Sequence, residues 1–597
     1  MAKPAADPTD YLASLFQAGQ QMMNPFTKLP EQMTPEATVS EPASPTSSEP
    51  DPATASDPFA AFAAATKTIA DMQQQYFSQV ANFWMSMPAA FGIPAMPPFP
   101  GSGLTAGAND DRRFAGDAWR ADPRFDAFKN GYLAYSEFLK TSVESAPVDD
   151  KMREQLRFAL RQYIDAMSPA NFLASNPEAI QLALETGGQS LVDGTNLFFK
   201  DLKKGRVSMT DETAFEVGTN VAVTKGSVVY ENELIQLIQY APATGKVYER
   251  PLVIIPPCIN KFYILDLTPE NSFVRYAVSQ GHTVFLASWR NVTAELGDKT
   301  WDDYIRMGPL AAIDVALDIT GADQVNTLGF CVGGTILSSA LAVMRANDES
   351  KVASVTLLTT MLDYSEPGEI GTMISEDAVA AREASIGSGG ILEGKDLALA
   401  FSSLRANDLI WPYVVNSYLK GKAPPAFDLL YWNSDGTNLP GPMFCYYVRN
   451  MYLENKLCEP GQTIQCGVPV DLGDVDVPAY LYASRDDHIV PWHSAYASNN
   501  LLGGPTTFVL GASGHIAGVI NPPSKNKRNY WKAGKAGADP EQWLATSENI
   551  PGSWWPNWSE WLAQYAGEEV AAPAKPGNKR YKRIEPAPGR YVMAKAE

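Results

Sequence analysis

The chain has 597 residues, more than the roughly 250–300 that one hydrophobic core supports, so two or three domains are expected. With 45% hydrophobic, 11% aromatic and only 19% charged residues it has material for a large core and for an apolar surface besides. A formal charge of −20 excludes non-specific nucleic-acid binding, which needs Lys and Arg to neutralise phosphates, and no run of about 18 apolar residues supports a membrane span.

The first residues, "MAKPAADPTDYLASLF", lack a basic stretch followed by an apolar one, which reads as a cytoplasmic protein. The five cysteines, Cys258, Cys331, Cys445, Cys458 and Cys466, form no CxxC pair. Neither a disulfide framework nor a zinc site is suggested, and a thiol is left free for chemistry.

Residues 34–58 are Pro, Ser, Thr and Ala with scattered acids, a composition that cannot bury enough apolar surface to fold. On either side, "YLASLFQAGQQMM" and "FAAFAAATKTIADMQQQYFSQVANFWMSM" carry apolar residues at helical spacing. They read either as helices packed on the protein or as helices lying on an apolar surface. From 111 to about 205 the pattern is helical, broken at Ser-Pro, Ala-Pro and Asn-Pro. The reading is therefore a disordered acidic segment with a short helix at 1–58, a helical N-terminal domain at 59–210, and a catalytic domain at 211–597.

After 210, short β-rich runs alternate with helical ones, the signature of an α/β fold around a mostly parallel sheet. "RPLVIIPP", "GHTVFLASW", "VNTLGF", "VASVTLLTTML" and "VPAYLYAS" read as its strands, with a helix from "YIRMGPLAAIDVALDITG". The last two strands are separated by far more than the 2–6 residues usual in such connections. This insertion, at about 362–475, is rich in Trp, Tyr and Phe and reads as a cap over the site.

Gly329-Phe330-Cys331-Val332-Gly333 has the form of the strand-to-helix elbow on which α/β-hydrolases mount a nucleophile, with cysteine in place of serine. That fold places an acid and then a histidine after later strands. Asp486 and Asp487 follow "VPAYLYAS", and His515 follows "TTFVLG". Spacing does not choose between the two acids. Of the other three histidines, His282 reads as structural, while His488 and His493 compete with His515 for the role of base. His488 adjoins the acid and is poorly placed to bond it, so it is read as a supporting or cap-contacting residue. The oxyanion hole is expected from the N–H of Val332 and one from the loop after "LVIIPP", that of Cys258 or Ile259.

Beyond the elbow, "PPCINKFYILDL", "TLGFCVGGT", "TNLPGPM", "ASRDDHIVPW", "GASGHIAGVINPP" and "GSWWPNW" together resemble the polyhydroxyalkanoate synthases, within them the single-subunit class I type, from about 210 to the C-terminal "PAPGRYVMAKA". The N-terminal part is less similar. The resemblance implies an α/β-hydrolase fold with Cys331 as acylated nucleophile, His515 as general base and Asp487 as its carboxylate. Trp432 matches an aromatic residue kept near the site. It also implies polymerisation of (R)-3-hydroxyacyl-CoA, most often 3-hydroxybutyryl-CoA, into a polyester with release of CoA. The implied setting is a homodimer on the surface of cytoplasmic granules, beside the growing chain and granule-associated proteins. No cofactor or metal is called for, since CoA belongs to the substrate and becomes a product.

A thiol suits this chemistry because transfer from one thioester to another is nearly balanced in energy, whereas serine would form an oxyester as stable as the product. CoA carries phosphates, for which Lys525, Lys527 and Arg528 after the His515 loop are candidates, as is Arg405 in the cap; a solvated basic turn is the plainer account of the first three. The rivals are an acyl-CoA thioesterase with the same fold and triad, and a non-catalytic protein that coats polymer with its N-terminal helices.

Overall fold

A computed structural model describes residues 111–596. The linker and amphipathic stretches read before residue 111 lie outside the described residues. The described chain divides into two compact units, one of residues 111–209 with 405–424, the other of residues 210–404 with 425–596.

The first unit is helical: α1 (Pro123–Glu144), α2 (Asp150–Ala166), α3 (Pro177–Glu185) and α4 (Gln189–Lys204). The first three start where a side chain accepts an N–H of the opening turn, Asp122 from Arg124, Asp149 from Met152 and Asn176 from Ala179. Proline opens α1 and α3, a position where its missing N–H costs nothing. Phe114 and Trp119, 4.8 Å apart edge to face, centre a small core. Residues 405–424 join this unit although they lie far along the sequence. Phe198 of α4 meets Tyr418 at 5.4 Å, and the Tyr418 hydroxyl donates to Asp201 at 2.8 Å. The insertion is therefore not one cap: about twenty of its residues complete the helical unit.

The second unit is built on an eleven-stranded sheet. In chain order its strands are β1 (Gly226–Glu231), β2 (Ile235–Tyr240), β3 (Leu252–Ile255), β4 (Val284–Trp289), β5 (Val325–Phe330), β6 (Val352–Leu358), β7 (Ala479–Ser484), β8 (Thr506–Gly511), β9 (Asn529–Lys532), β10 (Glu548–Pro551) and β11 (Glu585–Pro586). Their spatial order is β10-β9-β8-β7-β6-β5-β3-β4-β2-β1-β11. The six from β8 to β4 run parallel, and the flanking strands pair antiparallel. β4, β5 and β7 are buried along their whole length, as parallel strands covered on both faces must be.

The outer strands β9, β10 and β11 escaped the sequence because they are only two to four residues long, and the two at the edges, "ENIP" and "EP", carry proline, which an edge tolerates. The helix read through "YIRMGPLAAIDVALDITG" is interrupted at Gly308-Pro309, where proline lacks the donor that an unbroken helix requires. Among the described residues no helix is long and apolar enough to cross a membrane.

Candidate active site

β5 delivers Cys331 to the carboxyl edge of the parallel sheet, between β3 and β6. The Cys331 N–H donates to the Leu358 carbonyl at 2.9 Å, and helix α5 (Val332–Ala346) begins at the next residue. The turn is sharp enough to force Cys331 to φ 54°, ψ −131°, a conformation that costs a side-chain-bearing residue about 1–3 kcal/mol. Its flanking glycines are dictated by contact. A Cβ on Gly329 would run into the backbone of Gly334, and one on Gly333 into the carbonyls of Ile255 and Pro256. Val332 and Gly333 open α5, so their N–H groups have no acceptor within the helix.

His515 opens helix α6 (His515–Val519) just past β8 and is 4% exposed. Its Nδ1 lies 2.6 Å from Asp487 Oδ2, and the ring is within electrostatic reach of the Cys331 sulfur. The other Asp487 oxygen accepts the N–H of Ile489 at 2.8 Å and of Val490 at 2.9 Å, which fixes the carboxylate's orientation toward the histidine. Asp486, in contrast, is exposed. Phe330 stacks on the imidazole with ring centroids 5.7 Å apart. Burial disfavours a charged ring, yet Asp487 and the Cys331 sulfur outweigh it and push the His515 pKa up to about 10. The arrangement favours a protonated imidazole ring facing the Cys331 sulfur.

The remaining histidines separate from this group. His282 is buried against Tyr248, and desolvation holds it neutral, with its pKa lowered to about 4. His493 meets Glu541 at 2.8 Å near the surface. His488 is half-buried in the turn that follows Asp487.

Other residues named from the sequence fall in varied places. Cys258 is 2% exposed, and burial pushes its thiol pKa up, which removes it as a second nucleophile. Trp432 is buried and donates its indole N–H to the Lys261 carbonyl at 2.6 Å, so it braces the loop after β3. Lys525 donates to Asn271 at 2.6 Å, and Arg528 to the Ala517 carbonyl. Arg405, read as part of the cap, belongs instead to the helical unit, where its charge is matched by Asp408, which also takes Arg112.

Three side chains near the sulfur were not singled out individually: buried Tyr364 and Tyr447 and half-buried Tyr452, all within electrostatic reach of Cys331. Tyr364 links the Thr335 hydroxyl at 3.1 Å to that of Tyr447 at 3.3 Å, and Tyr447 stacks on Trp301 at 5.5 Å. Two of them come from the aromatic run "MFCYYVRNMYLEN", so their signal was compositional. They give the site a dry wall in which charge interactions are strengthened.

Known proteins match the chain along most of its length. It is 53% identical to the poly(3-hydroxyalkanoate) polymerase subunit PhaC of Cupriavidus necator over 90% of its own length and 91% of that protein. The chain belongs to the poly(3-hydroxyalkanoate) polymerase family. It is thus an enzyme, an acyltransferase on an α/β-hydrolase fold. The polymerase of Methylorubrum extorquens is 42% identical over 90% of this chain and 88% of its own. The family model described as the poly-beta-hydroxybutyrate polymerase (PhaC) N-terminus matches residues 110–277, and that of the alpha/beta hydrolase fold matches residues 251–522. Among solved structures, the monoacylglycerol lipase of Paleococcus ferrophilus is similar at 13% identity and TM-score 0.33, covering 55% of this chain and 99% of its own.

Proposed function

We propose that the enzyme polymerises (R)-3-hydroxyacyl-CoA, with 3-hydroxybutyryl-CoA as the favoured monomer, through a covalent acyl-Cys331 intermediate. The observation that carries this reading is the buried Asp487–His515 pair set within electrostatic reach of Cys331 on its strand-to-helix elbow. In acylation the Cys331 thiolate attacks the thioester carbonyl, and the negative charge passes to its oxygen. The N–H of Val332 and one from the loop after β3 hold that oxygen while the carbon is tetrahedral. The C–S bond to CoA then breaks, and His515 gives its proton to the departing thiolate.

Elongation reverses the proton's direction. The 3-hydroxyl of a further monomer or chain end loses its proton to neutral His515 and attacks the acyl-Cys331 carbonyl, and the sulfur leaves as thiolate. Asp487 orients the ring and stabilises the imidazolium in both halves. Water is the competing nucleophile, and the buried tyrosine wall limits it. CoA enters with the substrate and leaves as product, so the reading asks for no cofactor or metal. The growing polyester separates as cytoplasmic granules with the enzyme at their surface, acting as a homodimer among other granule-bound proteins.

The test is CoA release from 3-hydroxybutyryl-CoA by thiol titration, followed alongside turbidity, with Cys331→Ala in parallel. Thiol and turbidity rise together in the unmutated protein and both vanish in the variant. Thiol release from a solution that stays clear would show a thioesterase instead, and no release would refute the proposed substrate.

A further inference from the structure

The motif "TNLPGPM" has so far found no role, and the structure brings its first residue to the loop expected to hold the developing oxyanion. Thr437 is 1% exposed. Its hydroxyl donates to the Cys258 carbonyl, and its backbone N–H donates to the next carbonyl, that of Ile259, at 2.9 Å. In an extended chain successive carbonyls point to opposite sides. Here two in succession end on one residue.

The consequence follows from the planar trans peptide, whose N–H points opposite to its C=O. With both carbonyls drawn to Thr437, the amides of Ile259 and Asn260 face away from it, forming a small nest of donors. The loop abuts the nucleophile's elbow, because Gly333 of α5 packs on the backbone of Ile255 and Pro256, and the Cys258 sulfur lies within electrostatic reach of Cys331. Of the two donors named from the sequence, the Ile259 N–H is the one whose peptide Thr437 holds, through its Cys258 carbonyl.

The clamp is itself anchored. Asn438 receives Gly394 N–H on its side-chain oxygen at 2.9 Å, donates its side-chain N–H to Val292 at 3.1 Å and its backbone N–H to Asn291 at 2.9 Å. Asp435 accepts the Tyr263 hydroxyl at 2.8 Å and pairs with Lys595 at 2.7 Å. Gly436 bridges to Asn260.

We propose that Thr437 is a positioning residue for acyl transfer: by holding the carbonyls of Cys258 and Ile259 it keeps a carbonyl oxygen out of the oxyanion position and presents the Ile259 N–H to it. The inference rests on the reading of Cys331 as acyl acceptor. Without the hydroxyl, the Cys258–Ile259 peptide is free to rotate and to offer oxygen where nitrogen is needed.

The test separates steps that form an oxyanion from one that does not. Acylation of Cys331 by 3-hydroxybutyryl-CoA, and by p-nitrophenyl butyrate as a donor independent of the natural substrate, passes through the tetrahedral oxyanion. Alkylation of the same sulfur by iodoacetamide needs the thiolate but develops none. In Thr437→Val, acylation by both donors falls roughly tenfold to a hundredfold, a part of what outright loss of an oxyanion donor costs. Alkylation stays within about twofold of the unmutated rate, and Thr437→Ser, which keeps the hydroxyl, restores acylation to within about threefold. Should the valine variant not fold, Thr437→Cys, close in size and a poor donor, is compared with Thr437→Ser in the same way. Undiminished acylation would overturn the inference, as would acylation and alkylation falling together, since Thr437 would then merely hold the fold. Failure of the unmutated protein to acylate with either donor would overturn the reading of Cys331 itself.

Discussion

Replacing Asp487 by Asn tests the electrostatics of the site most directly. The carboxylate side chain is fully buried and serves three donors, His515 Nδ1 at 2.6 Å and the N–H groups of Ile489 and Val490 at 2.8 and 2.9 Å. Asparagine fits the same space. Its one oxygen goes to the two amides, however, which turns its NH₂ toward His515 and selects a ring with no proton on Nδ1. The rise of the His515 pKa from 6.5 to about 10 corresponds to roughly 5 kcal/mol in favour of the imidazolium, shared between Asp487 and Cys331 and opposed by burial. If Asp487 supplies half, its loss alone slows acylation roughly 70-fold. The wrong tautomer adds to this, so kcat for CoA release falls about 10³-fold. A second readout follows from the sign of the shift. A raised folded-state pKa stabilises the native protein fully below the unfolded value near 6.5, and that stabilisation is lost as pH climbs through about 10. The melting temperature of Asp487→Asn is therefore furthest below that of the unmutated protein near pH 6, and the gap narrows toward pH 10. A kcat within fivefold of the unmutated value, or a gap that does not change over this range, would refute the assignment.

Gly333→Ala drives a methyl group into the carbonyls of Ile255 and Pro256 and destabilises the protein by about 1–3 kcal/mol, read from the denaturant midpoint, with activity lost through displacement of the elbow. Trp432→Phe leaves the buried Lys261 carbonyl without its indole donor and costs about 1–3 kcal/mol in thermal stability. Its KM for acyl-CoA stays within about twofold; a large rise in KM at unchanged stability would mean that the indole faces substrate. Arg405→Ala removes an exposed ion pair with Asp408, and neither the melting temperature nor KM moves measurably. A KM that rises severalfold would restore Arg405 as a CoA contact.

The chain's local chemistry was enough to read the α/β class and the strand-to-helix elbow at Cys331, because each depends on short-range rules. Buried parallel strands are continuous apolar runs, helices start at Asp, Asn and Pro, and the strained turn between strand and helix admits only glycine two residues to either side of Cys331. What depended on residues far apart in sequence could be decided only by the folded chain. Asp486 and Asp487 are neighbours of the same type, and only the packing of His515 against one of them tells them apart. Arg405 looked like part of a cap because it lies within the insertion, yet residues 405–424 fold with the helical unit, where Tyr418 sits edge-on to Phe198 of α4. Thr437 carried no signal of its own, since a threonine in a loop is ordinarily exposed. Its place between two carbonyls arises from a contact across 179 residues that no periodicity encodes.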